Sequence, residues 1–275
     1  MTRGNTDTSA RAGRSVRARR KSSYFPPQHG AWAFLALPLA LGATVSTWDP
    51  LLALLAIAWI AAYPMSYAAF GLMRAKRSQR FRAPFFTWAA IALIPAVLLV
   101  IGRPWLLWVG LAYALLLTVN LYYARHNDER ALVNDGVFIL ECAGIVAVTW
   151  AVAAGTRTWT PPGITAVPAD VWILVTACAL VLLSSTLHVK SLIRERRNRR
   201  YAIASRTFAV ASLFASIALG AWWGWPSGAW FIVPFTALAV RAFLVPGRQL
   251  RPGAIGVIEL VCFLITVAAA ALAST

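Results

Sequence analysis

Residues 188–206 read HVKSLIRERRNRRYAIASR, and they carry seven of the 26 Lys and Arg residues of the chain. The stretch joins the end of one long apolar run, 170–189, to the start of another, 203–223. Apolar run, basic reversal, apolar run is the signature of a helical hairpin that crosses a bilayer and turns at its surface. The rest of the chain repeats that pattern.

Apolar runs of roughly 17 to 24 residues, each long enough at about 1.5 Å per residue to span a bilayer core, recur along the sequence. They cover 30–47, 51–71, 84–102, 104–124, 132–154, 170–189, 203–223, 228–245 and 254–273. With 60% apolar residues, 13 Trp and only 13% charged residues, no polar surface is left for a soluble domain. Mean hydropathy is +0.66. The predicted fold is therefore all-α: a polytopic membrane bundle of about nine transmembrane helices, a single domain over 24–275. Pro38, Pro64, Pro95 and Pro234 fall inside runs and predict kinks. Residues 1–23 are rich in Arg, Ser, Thr and Gly with Asp7 their one acidic residue, and read as a disordered basic arm. They lack the early apolar core of a secretory signal.

The connectors set the orientation. Of the 26 Lys and Arg residues, 24 lie in the arm or in connectors on the arm's side of the membrane, and only Arg103 and Arg157 lie on the other. The positive-inside rule then puts the N-terminus in the cytoplasm and the C-terminus outside, in a plasma membrane. The same rule explains the formal charge of +17 without nucleic acid, since no aromatic-interleaved basic face or known motif accompanies it. Membrane lipids are the expected surroundings. Cys142, Cys178 and Cys262 stand alone in apolar runs and read as small buried hydrophobes.

Three segments on the basic side carry more than charge. At the mouth of the first run, Pro26-Pro27-Gln28-His29-Gly30-Ala31-Trp32 offers Gln28 and His29 to a polar head. Between the fourth and fifth runs, Asn120, Tyr123, Asn127, Asp128, Glu129, Arg130, Asn134 and Asp135 gather around one turn. Asp128, Glu129 and Asp135 are hard oxygen ligands suited to Mg²⁺; a solvated turn with Glu129 paired to an arginine reads equally well. Glu141 lies deeper, inside an apolar run. An ionisable group there costs a few kcal/mol unless paired, so it is expected to face a cavity or a basic partner. Asn120, Asn127, Asn134 and Glu141 are spaced by seven, but a chain reversal among them breaks any common helix face.

The third segment is the opening stretch. If its helix continues past the membrane, Lys190, Arg194, Arg197 and Tyr201 share one face, with His188 and Glu195 on another and Glu195 one turn from Arg199. Guanidinium forks match phosphate oxygens, so such a face suits a phosphorylated isoprenoid or an anionic lipid head. For Arg197, Arg199 and Arg200, topology alone is the simpler reason; Lys190, Arg194 and Glu195, interleaved with Asn198 and Ser205, read as functional.

Three motifs, Gln28-His29-Gly30-Ala31-Trp32, Asn127-x-Glu129-Arg130-Ala131-Leu132-x-Asn134-Asp135 and Val189-Lys190-x-x-Ile193-Arg194-Glu195-x-x-Asn198-x-x-Tyr201, resemble the YwiC-like family of bacterial membrane proteins. The resemblance runs from about Phe25 to the C-terminus, with Pro27 where a basic residue is expected. It implies no established activity. A more distant architectural likeness, in helix number and in polar connectors on the basic side, is to UbiA-type intramembrane prenyltransferases. Those enzymes hold Mg²⁺ and a prenyl diphosphate on aspartate-rich motifs after helices 2 and 6; here the first connector, 73–80, has no carboxylate and the second has only Glu195.

The sequence thus points to a cytoplasm-facing polar cavity that recognises a phosphorylated or anionic amphiphile. Lys190, Arg194 and Arg130 would grip it, Asn127, Asn134 and Tyr201 would orient it, and Glu129, Asp135 or Glu141 would act as metal ligand or base. A lipid-linked transferase, a transporter or lipid-handling protein, and a scaffold all remain open, although no internal repeat marks a transporter.

Overall fold

The computed structural model describes residues 24–26, 30–74, 78–126, 131–155, 157–248 and 250–275. The basic arm expected over 1–23 lies outside them. Among the described residues nine α-helices follow one another: α1 Gly30–Thr44, α2 Leu51–Arg74, α3 Arg82–Gly102, α4 Leu106–Arg125, α5 Leu132–Ala154, α6 Ala169–Val189, α7 Arg199–Trp223, α8 Ile232–Leu244 and α9 Pro252–Ala273. No strand occurs among the described residues.

Among the described residues eight helical segments are long and apolar enough to cross a membrane. The exception is α1, whose 15 residues extend about 22 Å, against a bilayer core of about 30 Å. The apolar run there continues to residue 47, but the helix stops earlier for a local reason. Thr44 Oγ1 donates to the Leu41 carbonyl at 2.7 Å and Ser46 Oγ to that of Gly42 at 2.6 Å, taking carbonyls the next turn would have used.

The bundle is organised on α6. Leu174, Cys178, Val181 and Leu182 on this helix are fully buried, packed with Leu41 of α1, Val146 of α5, Phe235 and Leu238 of α8 and Phe263 of α9. At 25 cal/mol per Å² of apolar area, each such side chain contributes about 1.5–3 kcal/mol relative to water. Within a bilayer, close packing takes over that role. Gly42 is one cause of the close approach: a Cβ there would sit 2.6 Å from the Thr149 Cβ, so α1 touches α5 almost backbone to backbone. A second cluster, with Leu55, Leu99, Trp105 and Val152, attaches the α2–α3 hairpin. Helix α4 lies at the edge, with Leu107, Trp108, Leu111 and Leu115 exposed.

Pro38, Pro64 and Pro95 sit inside α1, α2 and α3 as expected. Pro234 does not. A 3₁₀ segment, Ser227–Phe231, precedes α8, so Pro234 falls in the first helical turn, where its missing N–H costs no hydrogen bond.

Contacts between helix ends define two faces. At the basic face, Lys190 at the end of α6 meets Asp135 at the start of α5. At the opposite face, Arg103 after α3 binds Asp49 before α2 at 2.9 Å and the Val152 carbonyl at 2.9 Å. Arg103 also donates to the Gly102 carbonyl at 3.3 Å, so its guanidinium is held by three partners.

Candidate functional site

The stretch 188–206 is not one helix. Helix α6 ends at Val189 and a single π-helical turn, Lys190–Arg194, follows, closed by the Glu195 N–H donating to the Lys190 carbonyl at 2.7 Å. The chain then turns, and α7 starts at Arg199. Asn198 is its N-cap: the side-chain oxygen accepts from the Arg200 N–H at 3.1 Å, a cap worth about 1 kcal/mol. The shared face expected for Lys190, Arg194, Arg197 and Tyr201 therefore does not form. Glu195 is held by the Asn198 amide at 3.3 Å, and no ion pair joins it to Arg199. Tyr201 lies half-buried in the first turn of α7.

This reversal opens a depression of about 740 Å³ on the basic face, lined by Ile193 through Arg200. Five guanidiniums, those of Arg194, Arg196, Arg197, Arg199 and Arg200, surround it with one carboxylate, that of Glu195. All five arginines are exposed. The first turn of α7 adds the partial positive charge of a helix N-terminus at the same place.

Lys190 behaves differently from its neighbours. It is 5% exposed and pairs with Asp135, whose side chain is 22% exposed. The pair ties the first turn of α5 to the π turn, and Arg194 lies near enough to act on the same carboxylate. Of the residues expected to share a phosphate grip, the structure thus joins Lys190 to Asp135 and leaves Arg194 at the rim.

Two further polar contacts join expected site residues. Asn120 of α4 donates its amide to Glu141 Oε1 of α5 at 3.1 Å, and Tyr113 donates its hydroxyl to the Glu141 backbone carbonyl at 2.6 Å. The partner of Glu141 is thus an amide where a base or a cavity was expected. The ends of the seven-residue series meet across a hairpin rather than along a face. His188, 1% exposed, is 3.4 Å through Nδ1 from Ser205 Oγ of α7. Tyr123 and Asn134 are half-buried near this end, Tyr123 edge-on to Tyr122.

Gln28, His29, Asn127, Asp128, Glu129 and Arg130 lie outside the described residues. Of the three residues expected to hold Mg²⁺, Asp135 is the one described, and its carboxylate is occupied by Lys190. Among the described residues no group of three His, Cys, Asp or Glu side chains converges as a metal would require.

The structure adds one centre that charge counting hid. Arg241 of α8 and Glu259 of α9 form an ion pair with both side chains under 10% exposed. Ser185 of α6 donates to Glu259 Oε2 at 2.6 Å, and Arg241 donates to Ser184 Oγ at 3.2 Å. Three helices are thus bound through one buried charge pair. Arg241 reads in the sequence as boundary charge near the end of an apolar run. The available signal was that ionisable residues stand inside two consecutive runs, where each needs the other.

These features define a polytopic helical membrane protein with arginines gathered at one face. Comparison with known proteins gives the family. A model of the family described as "YwiC-like protein" matches residues 25–150. The uncharacterized protein YwiC of Bacillus subtilis (strain 168) is 30% identical over 253 residues, which cover 88% of this chain and 95% of that protein. An uncharacterized protein of Haemophilus influenzae is 26% identical over 238 residues, 84% of this chain and 90% of that protein. The chain belongs to the YwiC-like family. No solved structure matches it.

Proposed function

We propose that the basic face binds the phosphate-bearing head of an anionic or phosphorylated amphiphile, a lipid or an isoprenoid, presented from the cytoplasmic leaflet. The observation that carries this reading is the arginine-lined depression at the α6–α7 reversal. Positive-inside topology needs positive charge on a connector; it does not need five guanidiniums around one concavity at the level where lipid heads lie. Each charge-assisted hydrogen bond to a phosphate contributes about 1.5–3 kcal/mol. Asn198 fixes the start of α7, and Glu195, held by Asn198, limits how far the arginines repel one another. Lys190 is paired with Asp135 and does not line the depression, which gives it a supporting role in place of the grip expected for it.

Native mass spectrometry of the purified protein tests this reading. The wild type should retain an anionic amphiphile, and Arg194→Ala with Arg197→Ala should lower its occupancy by on the order of tenfold. Arg248→Ala with Arg251→Ala, on the α8–α9 connector of the same face, is the control. Equal loss in the control would reduce the depression to diffuse attraction of lipid and overturn the proposal.

A further inference from the structure

Glu141 and Asn120 carry an inference that the arginine depression does not use. Glu141 lies nine residues after the start of α5, about 14 Å along the helix axis, near the middle of a bilayer core of about 30 Å. It is 9% exposed, and no ion pair reaches it among the described residues. An isolated carboxylate at that depth has lost its water and gained no cation. The charged form is strongly disfavoured there, and such groups neutralise rather than remain ionised.

The neighbours from each packed element are uncharged. Tyr113 and Asn120 face Glu141 from α4, and Cys142 and, from α6, Cys178 lie beside them. Helix α1 holds no titratable side chain, and the α2 groups nearest Tyr113 begin with the Trp59 ring, edge-on to it.

A second observation is independent of the first. Asn120 gives its N–H to Glu141 Oε1, yet its own Oδ1 is fully buried with no hydrogen-bond partner. A buried amide oxygen without a donor is uncommon and costs about 1–3 kcal/mol. A carboxylate cannot relieve it, because it only accepts. A carboxylic acid can, since its O–H donates while its C=O accepts, matching a side-chain amide donor for acceptor.

We propose that Glu141 and Asn120 form an intramembrane proton-binding site, in which the Glu141 carboxyl takes up one proton and pairs with the amide through two reciprocal hydrogen bonds. Loss of that proton leaves one negative charge between α4 and α5. Helix α4 is at the edge of the bundle and is held to α5 at this level by the Asn120 and Tyr113 hydrogen bonds. The proton therefore adds or removes one hydrogen bond between α4 and α5, the one that reaches Asn120 Oδ1, and leaves these two in place. Glu259, buried to a similar degree, is the internal contrast: Arg241 neutralises it as a carboxylate.

An apolar carbodiimide distinguishes the two in the wild-type protein. The carboxyl proton passes to a carbodiimide nitrogen, the carboxyl oxygen bonds the central carbon, and the adduct rearranges to a stable N-acylurea that adds the whole reagent mass. Peptide mass mapping at neutral pH should find the adduct on Glu141 and none on Glu259. Label on Glu259 but not Glu141, or on neither, overturns the proposal. Infrared absorption supplies a second reading: the carboxylic C=O band should disappear in Glu141→Gln and persist in Glu259→Gln. A band unchanged by Glu141→Gln overturns the proposal as well. Neither measurement involves the arginines, so failure here leaves the head-group reading intact, and the reverse also holds.

Discussion

Helices α4–α5 and α8–α9 are both hairpins that turn at the basic face, and each carries a buried glutamate in its second helix. In α8–α9 the glutamate meets a guanidinium and a serine and binds three helices together. In α4–α5 it meets one amide and leaves that amide's oxygen without a donor. The contrast separates two uses of a buried acid. A carboxylate beside a cation in low dielectric is held by charge and is costly to disturb. A carboxyl beside an amide is held by hydrogen bonds alone and can change its protonation without breaking an ion pair. Burial by itself does not say which use a side chain has; the partner does.

Substitutions can break that contrast. Arg241→Ala should have the largest effect, about 3–5 kcal/mol of destabilisation, because it strands Glu259 as an uncompensated buried charge. Thermal unfolding in a single detergent would measure it, and Arg241→Met combined with Glu259→Leu should recover most of the loss. Ser185→Ala comes next at about 1.5–3 kcal/mol, through the lost hydrogen bond to the ionised Glu259. Glu141→Gln should cost only about 1 kcal/mol, as only an acid–amide pair is exchanged for an amide–amide pair. A Glu141→Gln protein as unstable as Arg241→Ala would erase the distinction between the hairpins. Arg197→Ala sets the floor, within about 0.5 kcal/mol, because the side chain is exposed. Its effect should appear in amphiphile occupancy and not in the melting curve.

Most of the fold was legible because a bilayer leaves so few solutions. Every backbone group must be satisfied within its own helix, so run length maps onto helix length. The runs at 132–154, 170–189 and 254–273 differ from α5, α6 and α9 by no more than two residues at either end. The ends that moved are those set by side chains: Asn198 starts α7 four residues before its apolar run, and Thr44 with Ser46 stops α1 three residues short. The candidate site was legible in composition but not in pairing. Lys190 and Asp135 are expected from the sequence to line one cavity on the basic side, and the structure brings them together, but as a direct ion pair where a phosphate grip and a metal ligand or base were expected. Arg241 was absorbed into the topology count because an arginine three residues from a helix end looks like a boundary charge until α6 and α9 are seen to enclose it.

The π turn at Lys190–Arg194 has a genetic consequence. A π turn holds one residue more than the α-helical turn it replaces, so it behaves as an insertion absorbed in place. Deleting a single residue between Lys190 and Arg194 would let α-helical bonding continue and rotate everything beyond it by about 100°. Arg194 would swing off the rim while every apolar span kept its length. On the function proposed above, gain or loss of one residue at this point would carry Arg194 away from the head group it is proposed to bind.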